Sequence, residues 1–366
     1  MQGEVLLHRL FDVGYEVRLD QAAELLASSA PQRPRPVRVQ ARAIQIMNPP
    51  VAVSLGGQSI EVGADTCAIE LSARIFDFGV ISLRARVHAP RGLTWGEFAA
   101  FGSSIVSGEL STAAWGRLAT ARDSLLARIH PAIERPSLSL VTEEYTVFRI
   151  FSLEDAAGAP LPLEQLTGEQ IASLLLGETR PVSPAARAEM LSPRLAYFDD
   201  DLTVLSWNAA LVVEPVREDT DVQYVLEFAN AQLLELRYYD SLLDAELPHM
   251  YDEVSAARRA FHLLGRRFSR LLSALQQRVA EATESIERVE NSLKVTDDIF
   301  LARIYTTALD TFRVATWRAG IDRKMTIVRE TYSMLNAESQ ALRSEALELT
   351  IILLILMEIL MAVFSP

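Results

Sequence analysis

The chain has 366 residues, 49% of them hydrophobic, and a formal net charge of −13. At roughly 100–200 residues per domain, this length allows two or three domains, and the composition is that of a folded globular protein. The acidic balance excludes a general nucleic-acid binder, and a single cysteine, Cys67, excludes an intrachain disulfide and a cysteine-based zinc site.

The first 36 residues predict a strand, a short helix and a linker. Apolar residues alternate from Phe11 to Leu19, and Asp20 would cap a helix that ends near Leu26. The segment Ala27–Pro36 has the composition of a linker. Because Glu4 and Asp12 interrupt any apolar stretch, we expect no secretory signal peptide.

Residues 37–215 predict an α+β domain. Alternating apolar residues from Val37 to Val87 predict several strands. Two helices follow, near Thr94–Ile105 and Thr112–His130, the first with a capping box formed by Thr94 and Glu97.

The rest of this domain predicts a return to sheet. A strand at Tyr145–Leu153 precedes two short helices in Thr167–Met190 and a hairpin from Arg194 to Trp207. The hairpin turn would contain Asp199, Asp200 and Asp201. The order of elements predicts a mixed or antiparallel sheet with helices on one face.

Residues 216–345 predict a long helical, coiled-coil-like hairpin, either antiparallel within the chain or paired with another chain, with its turn near Asp297 and Asp298. One heptad seam consists of Leu272, Leu275, Val279, Ala282, Ile286, Val289 and Leu293. A second seam consists of Ile321, Met325, Val328, Tyr332, Leu335, Ser339, Leu342, Ala346 and Leu349. These seams predict a homo-oligomer.

Residues 346–364 predict a single hydrophobic tail helix. Leu349 to Phe364 is apolar on every face of a helix, and its 16 residues would span about 24 Å, against about 30 Å for a bilayer core. The expected membrane helix includes Leu349, Ile352, Leu356, Glu358, Leu360 and Phe364. Two interpretations remain, a C-terminal membrane anchor, which we favour, and a buried oligomer-core helix. Glu358 would be a packing residue between helices or an ion-pathway carboxylate.

A helix that follows Asp221 carries many hydrogen-bonding groups among leucines. They are Glu227, Asn230, Gln232, Glu235, Arg237, Tyr239, Asp240 and Asp244. Some of them must pair inside a packed interface, because an unpaired buried group costs about 1–3 kcal/mol. The set predicts a structural network, with Arg237 paired to Asp240 or Asp244, or a site for a ligand or partner.

No motif for catalysis or metal binding stands out. The chain has no G-x-S-x-G, no phosphate loop and no H-E-x-x-H. The acidic residues around Pro248 and in the Asp199–Asp201 turn could bind a divalent cation, but a solvated helix break and a hairpin turn explain them more simply. We therefore name no catalytic residue and expect no cofactor and no metal ion.

Four segments carry a resemblance to a known family. They are Arg74–Leu83, Arg194–Pro215, Val225–Tyr251 and the apolar C-terminal run, and with them the chain resembles a bacterial member of the required-for-meiotic-nuclear-division family, a domain of unknown function. The resemblance covers residues 74–364. It implies a membrane-tethered protein with Gly79, Trp207 and Glu358 at family positions, and it implies no reaction.

Three functions are compatible with these patterns. The first is a non-enzymatic scaffold at the bacterial inner membrane, held by its tail with the bulk of the chain cytoplasmic, and binding an unknown protein partner. The alternative is an enzyme or small-ligand-binding protein with a polar site between the sheet and helix 221–247. An ion-conducting oligomer that uses Glu358 is a third possibility.

Overall fold

The structure is a computed structural model, and it divides into two units. The described residues are 1–29, 37–38, 44–46, 48–62, 65–107, 109–137, 139–154, 162–163, 166–177, 182–192, 194–259, 277, 280, 283–284, 287, 293–295 and 298–364. The first unit comprises residues 1–238 and 285–317, and the second comprises residues 239–284 and 318–366.

The first unit is built on a mixed sheet of nine strands. The described strands are β1 (Gln2–Asp12), β2 (Gly14–Val17), β3 (Val37–Arg38), β4 (Ile44–Ile46), β5 (Val51–Val62), β6 (Asp65–Ile75), β7 (Val80–His88), β8 (Ile133–Pro136), β9 (Thr142–Ser152), β10 (Arg194–Leu195), β11 (Leu202–Leu205), β12 (Ala209–Val213) and β13 (Leu293–Val295). The order in the large sheet is β10-β11-β12-β9-β1-β7-β6-β5-β3. Only the β12–β9 pair is parallel among its described pairings, so the predicted α+β class is confirmed.

The described helices are α1 (Leu19–Ser29), α2 (Trp95–Ser107), α3 (Glu109–Ile129), α4 (Gly168–Leu176), α5 (Pro184–Met190), α6 (Asp221–Arg259), α7 (Ile299–Thr311) and α8 (Val314–Phe364). The predicted capping box of α2 is present. The Glu97 carboxylate accepts a hydrogen bond from the Thr94 backbone N–H at 2.8 Å, and Thr94 Oγ1 accepts one from the Glu97 N–H at 3.3 Å. This reciprocal pair satisfies two of the N–H groups at the start of the helix.

Helices cover both faces of the sheet, so the prediction of helices on one face is wrong. The alternation of β1 explains why two faces are buried. Val5 and Leu7 point into one core together with residues of α1 to α4, while Leu6 and Leu10 point into a second core together with α6 and α7. A strand that is apolar on both sides needs cover on both sides.

The predicted single hydrophobic tail helix is wrong. Residues 346–364 are no element of their own, because they are the end of α8, a helix of 51 residues. Among the described helices, none combines the length and the hydropathy that a membrane span requires. The expected transmembrane segment is thereby corrected.

Most residues of the first predicted coiled-coil seam lie outside the described part of the chain. Leu272, Leu275, Val279, Ile286 and Val289 lie outside the described residues. Leu293 is the first residue of β13, where it pairs with Ile46 of β4, and so it does not lie on a helix. The Leu-Lys-Val sequence of β13 alternates in the way that a strand requires.

The second unit is held together at the start of α8. Ile321, Met325 and Val328 are buried there. Lys324 Nζ lies 2.6 Å from both Asp240 Oδ1 and Asp244 Oδ1 of α6. These two aspartates lie one helical turn apart, so one ammonium group bridges both.

Candidate functional site

A layer of buried polar side chains lies between the sheet and the first half of α6. Period-two alternation puts Glu4, His8 and Asp12 of β1 on the face that also carries Leu6 and Leu10, and all of them are buried. Helix α6 lies over the layer and carries, among its described residues, five buried polar side chains, namely Gln223, Glu227, Asn230, Gln232 and Glu235.

Arg149 of β9 is the centre of the first group, and its side chain is 0% exposed. Its Nη1 donates to Glu4 Oε1 at 2.6 Å, and its Nη2 donates to Glu214 Oε1 at 3.2 Å. Nη2 also donates to the carbonyl oxygens of Val216 and Glu218, at 3.2 and 2.8 Å. One guanidinium therefore pairs with two carboxylates and fixes the loop that leads into α6.

Asp219 in that loop joins two further arginines, Arg84 and Arg86, to the layer. Arg84 Nη1 lies 2.8 Å from Asp219 Oδ2, and Arg86 pairs with the other oxygen of the same carboxylate. Burial alone would raise the pKa of Asp219, but Arg84 and Arg86 outweigh it and lower the pKa to about 2. The carboxylate is therefore ionised across the physiological pH range.

Glu227 of α6 is paired with Arg74 of β6, and the Arg74 guanidinium also lies over the Tyr224 ring, 4.5 Å from its centroid. Burial would raise the pKa of Glu227, yet Arg74 lowers it below its ordinary value. His8 lies in the same group. Burial lowers the pKa of His8 to about 4, against the opposing effect of Glu227, so the imidazole is neutral at pH 7.

Asp12 and Glu235 form a hydrogen-bonded pair of carboxyl groups. Both side chains are 2% exposed. Burial raises the pKa of Asp12 to about 7, although hydrogen bonds from Glu235 and the Gly14 backbone partly offset the rise. Two carboxyl groups in hydrogen-bond contact need a proton between them, so this pair holds one near neutrality.

The remaining predicted residues lie in two places. Arg237 pairs with Glu143 of β9 and not with the expected Asp240 or Asp244, which bind Lys324 in the second unit. Gln232 accepts a hydrogen bond from the Tyr305 hydroxyl of α7, and Asn230 donates to the Leu226 carbonyl at 2.8 Å.

Tyr239 is buried in the second unit. The structure therefore brings Glu227, Glu235 and Arg237 against the sheet, while Gln232 contacts α7 and Asn230 bonds within α6. The other three of the eight residues belong to the second unit. Their role as a ligand or partner site stays a prediction.

The apolar set of the C-terminal run lies at the end of α8. Leu349, Ile352, Leu356, Glu358 and Leu360 are all exposed, and the side chain of Phe364 lies outside the described residues. In the part of the chain that the structure describes, no group of three or more His, Cys, Asp or Glu side chains is placed to hold a metal ion.

The pH dependence of stability tests the Asp12–Glu235 pair. Because Asp12 holds its proton up to about pH 7 when folded and only to about pH 4 when unfolded, its contribution is full below pH 4 and is lost as the pH rises to 7. An amide cannot ionise and can still donate to Glu235. We therefore expect Asp12→Asn to be more stable than the natural chain by about 2–4 kcal/mol at pH 8 and by much less at pH 5.

Chemical denaturation at pH 5 and pH 8 measures this difference. Asp123→Asn is the control, since the Asp123 side chain is 66% exposed and its loss should matter little at either pH. A constant difference between Asp12→Asn and the natural chain at both pH values would contradict the shared proton.

The family match to known proteins covers most of the sheet unit. A family model described as "Uncharacterized protein MJ0711, N-terminal domain" matches residues 2–220. The uncharacterized protein MJ0711 of Methanocaldococcus jannaschii is 25% identical over 175 residues, which are 48% of this chain and 52% of that protein. The chain thus spans about half the length of this curated relative. No solved structure matches the chain.

Both of these comparisons are with uncharacterised proteins. Neither carries the required-for-meiotic-nuclear-division name, so that resemblance stays a prediction. The matched residues include β1, β7 and β9, and therefore Glu4, Arg84 and Arg149 of the polar layer. The match ends one residue before α6 begins.

Proposed function

The chain belongs to the MJ0711 N-terminal domain family, and from this premise we propose that it is a non-enzymatic scaffold that assembles with further copies of itself. The family match covers the sheet unit, and the observation that carries the proposal lies beyond it, at the end of α8. The resemblance to the required-for-meiotic-nuclear-division family belongs to the same proposal, since that family also has an acid inside an apolar C-terminal helix and no established reaction.

The end of α8 exposes an apolar surface on all its sides. Twelve large apolar side chains between Leu347 and Met361 are each 47–67% exposed. They are Leu347, Leu349, Ile351, Ile352, Leu353, Leu354, Ile355, Leu356, Met357, Ile359, Leu360 and Met361. Together they expose on the order of 1,000 Å², more than the largest apolar patch of a typical monomer and about the area that one partner of a stable complex buries.

Further copies of this chain suit that surface. An apolar helix is best covered by other helices of the same length and pattern, and each copy supplies one. Symmetric assembly of identical chains is also the commonest form of oligomer. Copies that cover one another in this way remove the seam side of the helix from water without an additional component.

The polar layer supports a structural role for the sheet unit. Each arginine of the layer pairs with a carboxylate of the layer, so the charges are paired within the protein. The four are Arg74, Arg84, Arg86 and Arg149. Among its described residues, the layer also contains buried atoms without a hydrogen-bond partner, namely His8 Nδ1, Arg149 Nε and the Tyr224 hydroxyl. The support for a rigid body is therefore the set of paired arginines alone.

The mass of the assembly formed by full-length variants tests the proposal. We expect the natural chain to sediment as a multimer without detergent, and the double variant Leu353→Asp with Leu356→Asp to sediment at 40.6 kDa, because two buried carboxylates per helix would oppose assembly. The control is Ser333→Asp with Ser344→Asp, which adds the same charge to exposed positions of the same helix and should remain multimeric.

Two results would contradict the scaffold. One is a natural chain that stays monomeric at micromolar concentration. The other is a monomer that floats with phosphatidylcholine–phosphatidylglycerol vesicles, since lipid and not a second copy would then cover the helix.

A further inference from the structure

Helix α8 carries one heptad seam that is buried at its start and exposed at its end. Ile321, Met325 and Val328 are 0%, 5% and 4% exposed. The same alternation of four- and three-residue steps, continued without a break in the helix, reaches Leu349, Leu353, Leu356 and Leu360, which are 47–67% exposed.

The buried part of the seam already packs against other residues of the second unit. Lys324 fixes α8 to Asp240 and Asp244, and Thr283 Oγ1 lies 3.6 Å from Met325 Sδ. The seam thus serves as a packing face inside the second unit. Its exposed continuation has the residue pattern of the same face, so a partner helix on it would extend an existing interface.

The residues that flank the exposed seam are apolar as well. Ile352, Met357 and Ile359 lie beside it and are all at least half exposed. In two-stranded coiled coils the flanking positions are usually charged, because they lie at the edge of the interface and meet water. Apolar flanks widen the face that must be covered, and one partner helix cannot cover so wide a face.

Glu358 lies on the opposite side of the helix from the seam. At about 100° per residue, it is displaced by about 200° from Leu356 and by the same angle in the other direction from Leu360. When Leu356 and Leu360 face an assembly axis, the Glu358 carboxylate therefore points away from the axis. It stays in water and needs no partner charge.

We propose that more than two copies of the α8 end associate in parallel and in register, with Leu349, Leu353, Leu356 and Leu360 facing the axis and Glu358 outside. This inference rests on the proposed self-assembly and specifies its geometry. Parallel order follows because three or more identical chains arranged around one rotation axis all point in the same direction.

Disulfide cross-linking of the full chain tests the geometry. Cys67→Ala removes the natural thiol, and Leu349→Cys, Leu356→Cys or Glu358→Cys then introduces a single one. After oxidation with diamide, we expect covalent dimers of the Leu349→Cys and Leu356→Cys chains, since a disulfide needs Cα atoms within about 7 Å. The Glu358→Cys chain should stay monomeric on a non-reducing gel, because outward positions are too far apart.

The mass of the assembly before oxidation tests self-assembly separately from the inward placement of the seam. Multimers in which Glu358→Cys cross-links and Leu356→Cys does not would overturn the inward seam and leave the scaffold standing. Cross-linking of Leu356→Cys without Leu349→Cys would show antiparallel helices, because residue 349 would then lie beside residue 363 of its neighbour. Monomeric mass of the natural chain would overturn the scaffold itself.

A charge reversal provides a second measurement that does not depend on cysteine. We expect Glu358→Lys to leave the mass of the assembly unchanged, since the side chain is outside in either form. A Glu358→Lys chain that sediments as a monomer would overturn the outward placement of Glu358.

Discussion

Arg149→Met is expected to lower the free energy of unfolding by about 3–5 kcal/mol. The substitution keeps the volume of the side chain but leaves the buried Glu214 without its cation, and it leaves Glu4 with Arg86, 3.7 Å away, as its remaining arginine partner. Burial already raises the pKa of Glu214 above its ordinary value, and Arg149 is the main group that opposes the rise. Chemical denaturation of the full chain at pH 7 measures the loss.

Two further variants show whether the loss comes from the uncompensated carboxylates. Arg187→Met is the control, because Arg187 Nη1 lies 3.4 Å from Oε2 of the exposed Glu169. Losing this surface pair should change the free energy of unfolding by less than about 1 kcal/mol. Adding Glu4→Gln and Glu214→Gln to Arg149→Met should recover much of the loss, because no buried charge is then left unpaired. A triple variant no more stable than Arg149→Met would contradict this explanation.

Gly79→Ala is expected to destabilise the sheet unit by about 3 kcal/mol or more, from backbone strain and a steric clash together. Gly79 has a φ of +89° in the turn between β6 and β7. A Cβ atom there would lie 1.8 Å from the carbonyl oxygen of Gly14. Because that oxygen belongs to the backbone, the strand end and not a flexible side chain would have to move.

Gly92→Ala separates the clash from the strain. Gly92 has a similar φ of +79°, but nothing lies within 4 Å of its Cβ position. It should therefore show only the cost of a left-handed alanine, about 1–2 kcal/mol. Thermal unfolding of both variants gives the comparison, and equal losses would mean that the close approach to Gly14 is not what requires glycine at position 79.

Local patterns predicted much of the sheet unit. The capping box of Thr94 and Glu97, the two helices that follow it and the acidic hairpin were all readable because each depends on neighbours in sequence. The hairpin turn is held as such turns are, with the Asp201 carboxylate accepting the backbone N–H groups of Tyr197 and Phe198.

The polar layer could be predicted on one side only. Glu227 to Arg237 stood out because polar groups on an apolar helix need partners, but their partners are far away in sequence. Glu4, His8 and Asp12 recur every fourth residue and so share a face of β1, a signal that was visible. Their role depends on Arg74, Arg84 and Arg149, which only the register of the strands brings together.

The C-terminal third shows where composition misleads. The apolar run predicts a separate tail helix, whereas α8 continues through it without a break from Val314. Leu293 fitted a helical spacing of three and four, yet it pairs with Ile46 as a strand. The three residues of β13 fit both the helical and the strand period, and sequence periodicity alone does not decide between the two.

Sedimentation equilibrium of the natural full-length chain, without detergent or lipid, tests self-assembly most directly. The scaffold with its inward seam predicts a mass that is a whole multiple of 40.6 kDa, with more than two copies. A mass of 40.6 kDa at micromolar concentration would contradict it, because the apolar end of α8 would then need no second copy.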